Sequence, residues 1–106
     1  MKTVVETPEY LASAKDVGMT ADERAAAVNM VSLNPTGGDV VVNSGGFRKI
    51  RLAGRGKGKS GGYRLLTRAG PNTGYVYLVL ALSKGDRADF SAAQLKALRQ
   101  IASTFR

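Results

Sequence analysis

The hydrophobic pattern of this chain changes period once, about a third of the way along. Lys2 to Glu6 is a short β-type run. Thr7-Pro8 then reads as an N-cap with proline at the first helical position, and Gly18 as the stop of that helix. Thr20-Ala21-Asp22-Glu23 has the spacing of a capping box, in which the Thr20 hydroxyl accepts the Glu23 N–H and the Glu23 carboxylate accepts the Thr20 N–H. The alanine-rich helix that follows must end before Asn34-Pro35, because proline disfavours helical geometry at the preceding residue.

Thereafter apolar positions alternate with period two. Asp39–Val42, Phe47–Ala53, Tyr63–Arg68 and Tyr75–Leu82 read as strands separated by glycine-rich or Gly-Pro-Asn turns. The connections are short, so the four strands are expected to form an antiparallel meander. Tyr75–Leu82 is apolar on both parities, which predicts a central strand covered on both faces. A second capping-box pattern at Ser91-Ala92-Ala93-Gln94 opens a last helix whose apolar stripe is Leu95, Leu98, Ile101, Ala102 and Phe105. The predicted fold class is α+β in the order β-α-α-β-β-β-β-α, a small antiparallel sheet with helices packed on it. No internal repeat or long linker interrupts residues 1–106, which are expected to form a single domain.

Composition narrows the chemistry. The 106 residues include no cysteine and no histidine, which removes thiolate nucleophiles, disulfides, the usual neutral-pH base and the commonest metal ligands. Any catalysis must use Lys, Arg, Tyr, Ser or a carboxylate. The net charge is +8 and unevenly spread. Residues 1–43 hold three basic and six acidic side chains, and residues 44–106 thirteen basic and two acidic. That asymmetry predicts one basic face and a polyanionic partner. No stretch approaches the roughly 20 apolar residues that span a bilayer, and the N-terminus lacks the apolar core of a signal peptide. No membrane association is expected, and the chain is expected to be made and kept in the cytoplasm.

The basic residues concentrate between Arg48 and Arg68, with no acidic residue among them. Glycines at 54, 56, 58, 61 and 62 alternate with Arg55, Lys57 and Lys59 in a loop able to lie close against phosphates. Gly58-Lys59-Ser60 is similar to the end of a P-loop, but Ala53 stands where its first glycine is required and a strand follows instead of a helix. A nucleotide triphosphatase is therefore rejected. Parity puts Ile50, Leu52 and Arg48 on one face of their strand and Lys49 and Arg51 on the other. Arg64 shares a face with Leu66 and Arg68. A basic residue beside core residues is costly unless its head reaches an anion or a sheet edge, which singles out Arg64. Lys84 and Arg87 follow the central strand and can join the basic face.

Gly38-Asp39-Val40, Gly45-Gly46-Phe47-Arg48-Lys49-Ile50-Arg51, Gly56-Lys57-Gly58-Lys59 and Gly61-Gly62-Tyr63-Arg64 together resemble RelE-superfamily toxins of bacterial toxin–antitoxin modules, within them the HigB-like branch. Asp89-Phe90-Ser91 and Gln94 before the last helix fit the same pattern. The resemblance implies a ribosome-dependent mRNA interferase that enters the A site, cleaves the codon there and is neutralised by a cognate antitoxin. By position, Arg64 matches the arginine on the scissile phosphate, Lys57 and Lys59 the loop lysines, and Lys84 a lysine ending the last strand. These four are the expected catalytic residues. Lys49 and Arg51 match basic residues of the second meander strand, and with Arg48, Arg55, Arg68 and Arg87 they form the expected RNA-binding set. Gly85 and Ser91 stand where RelE itself has an arginine and a tyrosine.

The implied chemistry is attack of a ribose 2′-OH on the adjacent phosphate, for which no metal or cofactor is expected. A fixed guanidinium suits the phosphate, so Arg64 is the expected stabiliser. A lysine crowded by like charges has its pKa lowered, so Lys57, Lys59 or Lys84 can act as base or acid. The expected partners are the antitoxin, the 70S ribosome and mRNA, with the free protein a monomer. Two other readings share the basic face: a ParE-like gyrase poison, which would trigger DNA-damage signalling, and a non-catalytic RNA-binding module, which would leave message intact.

Overall fold

The computed structural model describes residues 2–53, 62–70, 74–83 and 90–105. The elements run β1 (Thr3–Glu6), α1 (Pro8–Asp16), α2 (Ala21–Leu33), β2 (Asp39–Val40), β3 (Arg48–Ala53), β4 (Gly62–Ala69), β5 (Tyr75–Ser83) and α3 (Ala92–Ala102). The order is the predicted one, and the caps are those the sequence spells. The Thr7 hydroxyl accepts from Tyr10 N at 3.1 Å, with Pro8 opening the helix. Reciprocal capping boxes close at Thr20/Glu23 and Ser91/Gln94. No helix among the described residues is long and apolar enough to cross a membrane.

The five strands form one sheet in the order β1-β5-β4-β3-β2. β2 through β5 are the expected antiparallel meander. The sheet as a whole is mixed, however, because β1 pairs in parallel with β5, Thr3 opposite Tyr75 and Glu6 opposite Leu78. Turn chemistry dictates only pairings closed by short connections, and this one joins residues more than seventy positions apart. Beyond Glu6 the chain turns into α1, which takes over the edge of β5. Leu78 O accepts from both the Thr7 N–H and the Thr7 hydroxyl, and Ser13 Oγ accepts from Ala81 N at 2.9 Å. Side chains thus replace the missing strand partner.

β5 is covered on both faces, as its composition requires. On one face Val76, Leu78 and Ala81 pack with Leu52, Tyr63 and Leu65 beneath Tyr10 and Ala14 of α1 and Ala27 and Val31 of α2. On the other, Val79 packs with Leu66, Phe47 and Val41 beneath Leu98 and Ala102 of α3. Leu66 pairs with Leu80 but Thr67 with Leu78, so Val79 is the extra residue of a bulge. The bulge shifts the alternation, and Ala81 faces the same layer as Leu78.

One polar contact crosses the larger core. Glu23 is fully buried, and its Oε1 accepts from Thr20 N at 2.9 Å and from the Tyr63 hydroxyl at 3.0 Å. This ties α2 to the residue next to Arg64. Burial raises the pKa of the Tyr63 phenol, helped by its hydrogen bond to Glu23 and the charge there. Tyr10 is also fully buried, and its phenol is pushed up to about 12, first by burial and then by Glu6, with Arg24 pulling it partly back. The Tyr10 oxygen nevertheless has no partner in hydrogen-bonding geometry among the described residues.

The two tyrosines should therefore respond differently to loss of the hydroxyl. Tyr63→Phe removes a bond to a buried carboxylate and is expected to cost about 1–3 kcal/mol, whereas Tyr10→Phe costs less than about 1 kcal/mol, both read from urea unfolding at neutral pH. The raised Tyr10 pKa adds a pH signature. Its contribution is complete below about pH 10, where the unfolded phenol titrates, and is lost as the pH rises toward about 12. Tyr10→Phe should flatten the stability profile in that alkaline window.

Candidate nucleic-acid interface

Among the described residues, α3 covers only part of its sheet face, and the part it leaves uncovered is basic. Arg51 pairs directly with Arg64 across β3 and β4, and Lys49 with Leu66. Leu66 belongs to the layer beneath α3, so period two places Lys49, Arg51 and Arg64 on that same face. Asp39 of β2 lies opposite Lys49 and joins them. Gly38, Asp39, Lys49, Ile50, Arg51 and Arg64 line an open cleft of about 380 Å³. A smaller hollow of about 150 Å³ continues from it along Arg51, Gly62, Tyr63 and Arg64.

The backbone at the rim of the cleft is held tightly. Gly38 has φ +82°, and a Cβ there would overlap the Lys49 carbonyl. Only glycine permits both the left-handed conformation and this approach of β2 to β3. The Gly38 carbonyl also accepts from Arg48 Nη1 at 3.4 Å. Arg48 stands on the opposite sheet face, where its partner is Val40.

Arg68 lies four residues along β4 from Arg64, about 13 Å at strand rise, and its Nε and guanidinium face are engaged near the end of α3, while its buried Nη1 has no hydrogen-bond partner among the described residues. Its Nε donates to Gly45 O at 2.8 Å, and its guanidinium lies 6.0 Å from the Phe105 ring centre. Phe105 in turn stacks on Tyr77 at 4.0 Å and meets Phe47 edge-on at 6.3 Å. Arg99 of α3 donates from Nη1 to Asn43 O at 2.6 Å. These contacts clamp the end of α3 onto the loop between β2 and β3.

Of the ten residues expected at the site, the structure brings Lys49, Arg51 and Arg64 together and sets Arg48 and Arg68 apart from them. Arg55, Lys57, Lys59, Lys84 and Arg87, like Gly85, lie outside the described residues. Ser91 is engaged as the cap of α3, accepting from Gln94 N at 3.1 Å. Sequence reasoning missed Gly38 and Asp39 as lining residues. The available signal was the short connection from β2 to β3, but the pairing register that sets Asp39 opposite Lys49 was not readable from it.

Gly38→Ala tests the tight approach. The added methyl requires β2 to move from β3, so the variant is expected to lose several degrees in Tm by calorimetry. An alanine at Gly74, whose Cβ would meet nothing within 4 Å, should leave Tm nearly unchanged.

A fold of this order, with a charged cleft beside a clamped last helix, accords with what the whole chain matches. Residues 4–106 match the family described as the RelE toxin of the RelE/RelB toxin–antitoxin system. Membership carries with it a cognate antitoxin as partner. With the match spanning nearly its whole length, the chain belongs to the RelE family of toxin–antitoxin toxins.

Proposed function

We propose that this toxin is a metal-independent, ribosome-dependent mRNA interferase of the HigB-like kind, acting in the cytoplasm on message in the ribosomal A site. The observation that supports this best is the direct pairing of Arg51 with Arg64 beside Lys49 in an open cleft. Like charges opposite one another destabilise a sheet. A phosphate seated between them turns that cost into attraction, and the planar guanidinium offers paired donors to its oxygens.

In this reading Arg64 touches the scissile phosphate and stabilises charge on the phosphorane. Lys49 and Arg51 hold the neighbouring backbone, while Arg48, Arg55, Arg68 and Arg87 add positive charge that draws the toxin to RNA. Lys57, Lys59 and Lys84 provide ammonium groups for proton transfer to the departing oxygen. The ribosome contributes by holding the message in line, so that much of the acceleration comes from orientation. The antitoxin neutralises the enzyme by binding it, and the free toxin is a monomer.

Cleavage of message on programmed ribosomes, with and without ribosomes present, tests the reading. The wild type is expected to cut in the A-site codon only when ribosomes are present. Arg64→Ala is expected to reduce the single-turnover rate by about 10²–10³-fold with the protein still folded. An uncut message from folded wild-type protein would overturn the interferase assignment, and gyrase would then be the next target to assay.

A further inference from the structure

Among the described residues, the cleft holds one carboxylate that the binding of phosphate does not explain. Asp39 lines it together with Lys49, Arg51 and Arg64, on the same sheet face. Its side chain is exposed and is in no ion pair or hydrogen bond with any described residue. Its backbone, by contrast, is fixed. The preceding Gly38 packs against the Lys49 carbonyl, and Gly37 N donates to Asn34 O at 2.9 Å.

A negative charge in a polyanion site weakens binding, since it repels each incoming phosphate. Binding alone would be served better by a neutral residue there. Proton transfer is a different matter. The sequence has no histidine, and among the side-chain types it contains only carboxylates stand unprotonated through neutral pH. The cleft therefore sets guanidinium groups for a phosphate and one proton acceptor side by side, on neighbouring strands.

We propose that Asp39 is the general base that takes the proton from the attacking ribose 2′-OH, an assignment that rests on the interferase reading above. The 2′ oxygen forms its bond to phosphorus as the bond from phosphorus to the 5′ oxygen breaks. The 2′ proton passes to the Asp39 carboxylate, and the departing 5′ oxygen takes a proton from a lysine ammonium group, as in the reading above, which regains one from solvent. The products are a 2′,3′-cyclic phosphate and a 5′-hydroxyl. Asp39 then returns its proton to solvent, so no oxidant, reductant or further reactant is consumed. Lys49, directly opposite, offsets the charge of the carboxylate in the resting cleft.

Single-turnover cleavage on programmed ribosomes, measured against pH for wild type, Asp39→Asn, Asp39→Glu, Lys49→Gln and the Asp39→Asn/Lys49→Gln double variant, tests this. Asp39→Asn is expected to slow cleavage by about 10²–10⁴-fold while ribosome association is as tight as in wild type or tighter, since a charge that repels phosphate is removed. Its residual rate should climb about tenfold per pH unit, as hydroxide takes over from the carboxylate. Asp39→Glu should keep the wild-type profile, because it keeps a proton acceptor. The proposal is overturned if wild type cuts and Asp39→Asn cuts at a similar rate with the same profile. It is equally overturned if Asp39→Asn and Lys49→Gln lose the same amount and the double variant loses no more, since Asp39 would then only hold Lys49. A wild type that leaves ribosome-bound message uncut overturns the interferase reading, and this proposal with it.

Discussion

β5 is buried on both of its faces, and that constraint organises the rest of the molecule. A strand carrying Val76 and Leu78 on one side and Val79 on the other must have a covering layer on each. The α1–α2 pair supplies one, and it spans the sheet broadly. The other, among the described residues, is α3 with the loop residues Val41 and Phe47 and with Phe90 and Phe105 flanking the helix. The eleven residues of α3 make a rod about 16 Å long and about 10 Å wide, whereas eight-residue β4 is itself about 27 Å long. Among the described residues, one helix of that size leaves part of the sheet face uncovered. The open part is the β3–β4 end, where Lys49, Arg51 and Arg64 stand in place of core residues.

The cleft is thus a by-product of incomplete cover among the described residues, and its lining is charged. Its outer rim is set by the close approach of β2 to β3 at Gly38, and its inner side is supported by Tyr63, whose hydroxyl donates to the buried Glu23 carboxylate. Arg64 therefore extends from a strand whose neighbouring residue is anchored to a helix across the core. A guanidinium on such a support loses less freedom on binding phosphate than one on a free loop. At the other end of the face, Arg68, Phe105 and Tyr77 pin the last turn of α3, so the border between covered and open sheet is held by named contacts.

Charge along the chain and charge in space are related through the fold. The acidic excess of residues 1–43 is carried mostly by β1, α1 and α2, on the far side of the sheet from the cleft. Asp39 is the last acidic residue of that half. The β2–β3 register carries it into the basic half, opposite Lys49. A residue that belongs to one electrostatic block in sequence becomes part of the other block in three dimensions.

Local chemistry determined much of this protein before any long-range contact formed. The caps at Thr7, Thr20 and Ser91, the stop before Pro35, the alternating strands and the two-sided burial of Tyr75–Leu82 all follow from neighbours a few residues apart. So does the face shared by Arg64 with Leu66 and Arg68, because strand parity is a property of the backbone itself. The parallel pairing of β1 with β5, the bulge at Val79 and the pairing of Asp39 with Lys49 were settled only by tertiary structure. Each depends on which distant backbone groups meet, and on a register that no short window of sequence encodes. The basic residues were legible one by one, but which of them share a cleft was decided by where α3 runs out of length to cover the sheet.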